Sequence, residues 1–176
     1  IAFDAARGRK PSALGACIGA VVGLVAITPA AGYVTPGAAM AIGVLGSIIC
    51  NTVAHWRSHS TLDDTLDVFP CHGVGGIWGM LATGIFAVKA VNAAGADGLL
   101  AGNAKLFGLH VLATLLVAGY ALVMSYVIFR VVDLLIPLRV AAEDEEAGLD
   151  LSQHGETLIT GGAPLALANV RPDGGA

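Results

Sequence analysis

Between Asp63 and Ala87, in DDTLDVFPCHGVGGIWGMLATGIFA, one histidine, His72, lies inside an apolar segment of about 20 residues, the length that crosses a bilayer. Carboxylates stand only at its entrance, at Asp63, Asp64 and Asp67. An imidazole can accept and donate a hydrogen bond and can exchange a proton near neutral pH. An ionisable side chain in hydrocarbon is costly, so such a residue is by default a functional hypothesis. A buried histidine that merely bonds a neighbouring backbone is the bland reading, and position alone leaves both open. On a helix, Val68, His72, Gly75, Gly76 and Gly79 share one face, whereas Val74, Trp78, Leu81 and Ile85 share another. The His72 face is nearly bare. It leaves room for something to pass or for a neighbouring backbone to approach, and the residues do not choose between these.

The element that carries His72 is expected to start near Val68. Asp67 is placed to cap it, and Pro70 falls in the first turn, where a missing N–H costs little. For Asp64 and Asp67 a solvated loop acid and a helix cap stand beside direct contact with a substrate. His55 and His59 have the i, i+4 spacing of metal ligands. No further ligands converge on them, so HWRSH reads as an interfacial loop. No catalytic constellation, metal site or cofactor is expected.

The remaining elements must hold this segment in a membrane. Apolar residues make up 56% of the 176 and charged residues 12%, with a mean hydropathy of +0.78, far outside the soluble globular range. The net charge of −4 reflects acids crowded at Glu143 to Glu146, and nothing indicates a nucleic-acid surface. Cys17, Cys50 and Cys71 all lie in apolar runs and their number is odd, which argues against a disulfide framework. The chain opens at Ile1, with no initiator Met, and its first apolar run follows a basic loop; it is expected to be a fragment and not to begin with a signal peptide.

Four spans are expected in a membrane domain over residues 1–137, at about 14–34, 38–56, 68–88 and 106–136, each near the length needed for a hydrocarbon core of roughly 30 Å. In the first, Gly15, Gly19 and Gly23 recur every fourth residue and form a smooth strip suited to close helix packing. Thr28-Pro29 interrupts its far half and reads as a structural kink. Trp56 and Arg57 end the second span where interfacial aromatic and basic residues usually sit. Asp133, three residues after Arg130, is expected to pair with it at the exit of the last span.

An even number of spans puts both ends on one side. Arg7, Arg9, Lys10, Arg57, Arg130 and Arg139 then share a face, against Lys89 and Lys105 on the other, so both ends are expected to be cytoplasmic. Residues 138–176 form a tail, with an ordered part to about Glu156 and then a Gly, Ala and Pro-rich end expected to be mobile.

Three stretches, RGRKPSALGACIGAVVGLVAITPAAGYVTPG at 7–37, DDTLDVFPCHGVGGIWGMLATGIFA at 63–87 and LRVAAEDEEAGLDLSQHGE at 138–156, occur in an order and spacing that resemble the ammonium transporter family (Amt/Mep/Rh), and within it the Amt branch. The resemblance implies an all-α membrane protein built from two inverted five-helix repeats and a further helix, assembled as a homotrimer with one pore per subunit. This chain resembles the last four spans plus the cytoplasmic tail, that is, part of the second repeat and the final long helix. By resemblance, His72 is the second histidine of a twin-histidine pair whose partner belongs to the first repeat. His55, His59 and His154 read as cytoplasmic, and His110 lies outside any matching motif. Val68 and Val21 match apolar pore-lining positions, and Asp64 and Asp67 match acidic residues at the cytoplasmic start of the pore helix. Pro70-Cys71 stands where many members have Gly-Val, a departure that bears on the local backbone.

The resemblance implies a multi-pass protein of the cell's inner (plasma) membrane that takes up ammonium. Ammonia would pass through an apolar pore, with the proton carried separately by a histidine relay. It also implies a PII-type signal protein as a partner on the cytoplasmic face. Ser152 falls where some relatives carry a phosphorylatable Thr, and a phosphate there would add repulsion near Asp150 and Glu156. The acidic run beside it is otherwise a solvated face. Two other readings stand beside transport: an ammonium sensor using the same fold, and a four-helix membrane module with no pore of its own.

Overall fold

The computed structural model describes residues 2–6, 8, 10 and 13–156, and all regular structure among them is helical. Arg7, Arg9, Pro11 and Ser12 of the basic loop, and the stretch 157–176 expected to be mobile, lie outside the described residues. The chain divides into two units, 1–121 and 122–176.

In the first unit a short helix α1 (Ala2–Ala6) precedes α2 (Ala13–Ile27). The α-helix stops at Ile27, well before the Val34 limit expected of this apolar run. Pro29 has no N–H to donate, and the Thr28 hydroxyl turns back onto the Leu24 carbonyl at 2.6 Å, so the chain tightens into a 3₁₀ turn, Thr28–Ala30. Gly32, at φ +80°, then reverses the direction in a conformation that glycine adopts without steric cost. Thr35 opens the next helix by accepting the Ala38 N–H at 3.3 Å, with Pro36 in the first turn. That helix, α3 (Pro36–Arg57), is about 33 Å long at 1.5 Å per residue and long enough to cross a membrane.

After a polar loop the chain enters a π-helical turn, Phe69–Val74, that runs directly into α4 (Gly75–Phe86). The segment 87–103 is not slack. Val88 N–H donates to the Tyr33 carbonyl, Gly98 N–H to the Ala87 carbonyl and Lys89 N–H to the Asp97 carboxylate, at 2.9, 2.8 and 2.8 Å. Asn103 accepts the Leu106 N–H and opens α5 (Ala104–Leu135), the second helix of membrane length; the unit boundary falls within it.

α2, α3 and α4 pack on one another through a mixture of small side chains and a few branched ones. One buried cluster joins Ala26, Ala30, Val34, Ile42 and Ala82, and a second joins Val22, Cys50 and Cys71. The alanines among them, with Gly46, Gly75 and Gly79, let helix backbones approach closely, which is how apolar helices associate when the solvent is lipid. At Gly46 an added Cβ would sit 2.9 Å from Ala26 Cβ and 3.0 Å from the Trp78 ring. Trp78 spans this contact and donates its indole N–H to the Ile42 carbonyl at 3.0 Å. Many large apolar side chains remain exposed, Leu24, Met40, Val44 and Leu115 among them, as expected of surfaces that face lipid or further helices.

In the second unit, the remainder of α5 is followed by α6 (Ala142–Ala147) and a π-helical turn, Asp150–His154. Arg139 Nε pairs with the Glu145 carboxylate at 2.9 Å. Arg130 and Asp133 find other partners than each other. Arg130 donates to the Tyr126 hydroxyl and lies over its ring, while Asp133 accepts the Leu138 N–H that emerges where the helix ends.

Candidate functional site

The entrance to the His72 segment is built by two carboxylates with separate tasks. Asp64 is the cap: its two carboxylate oxygens accept the N–H groups of Val68 and Phe69 at 2.8 and 2.9 Å. The sequence placed Asp67 there instead. Asp67 adopts φ +53°, and its Oδ1 accepts from Arg57 Nε at 3.1 Å and from Arg57 Nη2, so its side chain points to the end of α3. Its carbonyl still serves the helix, accepting the Cys71 N–H at 3.0 Å. The Phe69 N–H holds the Asp64 carboxyl below the usual carboxylate range, helped by the Val68 N–H and the Arg57 charge and opposed by partial desolvation.

Past this entrance the backbone widens into the π-helical turn that contains Pro70, Cys71 and His72. A π-turn inside a helix is uncommon and recurs at functional sites. Pro70 and Cys71 point inward, with Cys71 in the cluster of Val22 and Cys50, while His72 is exposed. Pro70 and Cys71 are thus part of the packing around the turn. The three cysteines are free thiols.

His72 lines a cavity of about 510 Å³ together with Gly73, Gly76, Ile77 and Met80 from its own helix and Ala113 and Thr114 from α5. A Cβ at Gly76 would meet nothing within 4 Å. Gly79, four residues from Gly75 and three from Gly76, has a different surrounding: an added Cβ would collide with the Ala26 carbonyl oxygen and come within 3.0 Å of Pro29 Cδ. Gly76 therefore opens the His72 face, and Gly79 seats α4 on α2. The structure brings Asp64, Asp67 and His72 onto one short segment, but Val68 and Val21, 51% and 42% exposed, do not line this cavity.

Gly15, Gly19 and Gly23 line an open groove of about 550 Å³ beside Met40, Gly43 and Val44. Among the described residues, none outside the local helix backbone comes within 4 Å of a Cβ built on Gly19 or Gly23, so the strip is open there. His55 and His59 stack edge to face with ring centroids 4.5 Å apart, and His59 Nδ1 bonds the His55 carbonyl at 2.8 Å. Among the described residues no three metal-ligating side chains converge. In the second unit Ser152 donates its hydroxyl to the Asp144 carbonyl at 3.2 Å. Sequence reasoning left His110 unassigned. Its Nδ1 lies 2.8 Å from the Met80 carbonyl, and an imidazole within an apolar helix was the signal that could have flagged it.

An all-α chain with two helices of membrane length and an imidazole on the open face of a third, apolar helix has the makings of a membrane transport protein. Residues 1–159 match the Ammonium Transporter Family, and the chain belongs to that family. It is 47% identical over 149 residues to the ammonium transporter of Bacillus subtilis, covering 84% of this chain and 37% of the relative. It is 41% identical over 151 residues to ammonium transporter Amt1 of Archaeoglobus fulgidus, covering 86% and 38%. Among solved structures it is similar to Saccharomyces cerevisiae Mep2, with a TM-score of 0.75, and to Candida albicans Mep2, with 0.73. Each is 32% identical over 81% of this chain and 33% of that one. The chain thus spans 33–38% of the length of these relatives, and its fold is that of the matching part of an ammonium transporter.

Proposed function

We propose that the chain is the carboxy-terminal part of an ammonium transporter and that His72 lines the path of the transported nitrogen species. The observation that carries this reading is the exposure of His72 to a largely apolar cavity beside Gly76, where an added Cβ would meet nothing within 4 Å. Ammonium is nearly the size of potassium, so size is a weak filter and chemistry must discriminate. Ammonium can lose a proton and potassium cannot. Transfer of a bare cation into an apolar path costs on the order of tens of kcal/mol before relaxation, whereas neutral ammonia is penalised far less. In the proposed mechanism an N–H bond of ammonium breaks, ammonia continues along the apolar path, and the proton travels separately through an imidazole relay. The second imidazole, the homotrimeric assembly and a PII-type partner on the cytoplasmic face are parts of this proposal drawn from the family. So is an inner-membrane location with both ends of the segment cytoplasmic.

Regulation through the tail belongs to the same reading. A phosphate on Ser152 would remove the hydroxyl donor that now holds the Asp144 carbonyl and would add charge next to Asp150. The test of the function is ammonium-evoked current in proteoliposomes of the full-length protein, with potassium as the competing cation. Current that follows ammonium and ignores potassium is the expected result; an electrically silent protein that still binds ammonium would make it a sensor.

A further inference from the structure

His110 sits on α5 at the one place where a ring nitrogen of that helix reaches the backbone of the His72-bearing helix. Its Nδ1 is 2.8 Å from the Met80 carbonyl. A carbonyl only accepts, so Nδ1 must carry the hydrogen, which fixes the tautomer of the neutral ring. The approach is permitted by Gly84, one turn along α4. A Cβ there would sit 3.1 Å from His110 Cβ and 3.1 Å from Phe107 Cα. The bond also connects two walls of one cavity. Met80 lines the His72 cavity from α4, and Thr114, whose hydroxyl donates to the His110 carbonyl at 2.7 Å, lines it from α5.

We infer that His110 is a positioning residue that sets the width of the His72 cavity and with it the preference for ammonium over its methylated analogue. The hydrogen bond from Nδ1 pins the start of α5 to Met80, two helical turns beyond His72, so the facing side chains Ile77, Met80, Ala113 and Thr114 keep a fixed separation. A substrate one methyl group larger is the probe most sensitive to that separation. The functional consequence rests on the transport reading above; the hydrogen bond itself does not.

The test uses the full-length protein in two arms. In ¹⁵N-histidine spectra His110 should show a protonated, hydrogen-bonded Nδ1, and a bare Nδ1 would overturn the inference whether or not the protein transports. In proteoliposomes the ratio of KM for methylammonium to KM for ammonium should change on the order of fivefold in His110→Leu, the equivalent of one lost hydrogen bond. It should return to within about twofold of the parent in His110→Asn, whose side-chain NH₂ can replace Nδ1 as donor. A parent-like ratio in His110→Leu, or a loss equal for both substrates that Asn does not rescue, contradicts the assignment. Should His110→Leu not assemble, Gly84→Ala displaces the ring while retaining it: the same change of ratio supports the inference, and a parent-like ratio overturns it. A protein that transports neither substrate removes the transport reading and leaves the spectroscopic arm to decide the bond.

Discussion

Arg57, the last residue of α3, holds Asp67 at the mouth of the next helix, its Nε 3.1 Å from Asp67 Oδ1, and Asp67 is the one described non-glycine residue with a positive φ, +53°. A left-handed backbone at a non-glycine residue is unfavourable unless its surroundings enforce it. The ion pair, with both side chains largely shielded, acts on this residue together with its backbone bonds to the Asp64 carbonyl and the Cys71 N–H. It ties the orientation of the His72 segment to the end of α3.

The pair should therefore show measurable coupling. In a double-mutant cycle of Arg57→Met and Asp67→Asn, thermal unfolding in detergent should give a coupling of about 1–2 kcal/mol, above the usual surface pair because both partners are partly buried. A coupling near zero would mean that the φ of Asp67 is held by something else.

Asp64 should act as the cap of the same segment and should do so in a pH-dependent way. Its folded carboxyl titrates below its unfolded one, chiefly because the Phe69 N–H binds the charged form. Its contribution is then complete above the ordinary carboxylate pKa of about 3.9 and is lost as pH falls through the lower folded value. The stability gap between the parent and Asp64→Asn should stay constant from pH 7 to about pH 5 and narrow below the ordinary pKa. A gap that widens on acidification would contradict the capping geometry.

Gly76 and Gly79 should respond to the same substitution in opposite ways. Gly79→Ala forces a Cβ onto the Ala26 carbonyl and should destabilise by about 1–3 kcal/mol, as overpacking does. Gly76→Ala enters open space and should be neutral or stabilising by up to about 1 kcal/mol, yet it narrows the His72 cavity and should slow transport. Thermal unfolding and ammonium flux on the two variants separate these effects. Equal loss of stability in both would show that the open face is filled.

The sequence showed clearly what local chemistry controls. Gly, Pro and Thr marked the break at Thr28-Pro29 and the start of α3. Of the glycines expected to keep the His72 face bare, only Gly76 does so, since Gly75 packs on Val25 and Cys50 and Gly79 on Ala26. The pattern misassigned what depends on neighbours distant in sequence. Asp67 occupies a good capping position by pattern, but Arg57 draws its side chain away and Asp64, four residues before Val68, reaches the free N–H groups instead. Arg130 and Asp133 have pairing distance along a helix, yet a tyrosine one turn back and an unsatisfied N–H at the helix end offer each a nearer partner. Gly76 and Gly79 look equivalent in sequence and differ only because α2 lies against one of them. His110 had no legible role, since its partner Met80 is brought near by the packing of α5 on α4.

The most direct test of the central claim compares the full-length protein with its His72→Ala variant in proteoliposomes, reading ammonium-evoked current with potassium as competitor. His72→Ala is expected to lose ammonium current or to admit potassium, with the protein still folded and assembled. A variant that conducts ammonium at the parent rate and still excludes potassium would reduce His72 to a packing residue and contradict the account.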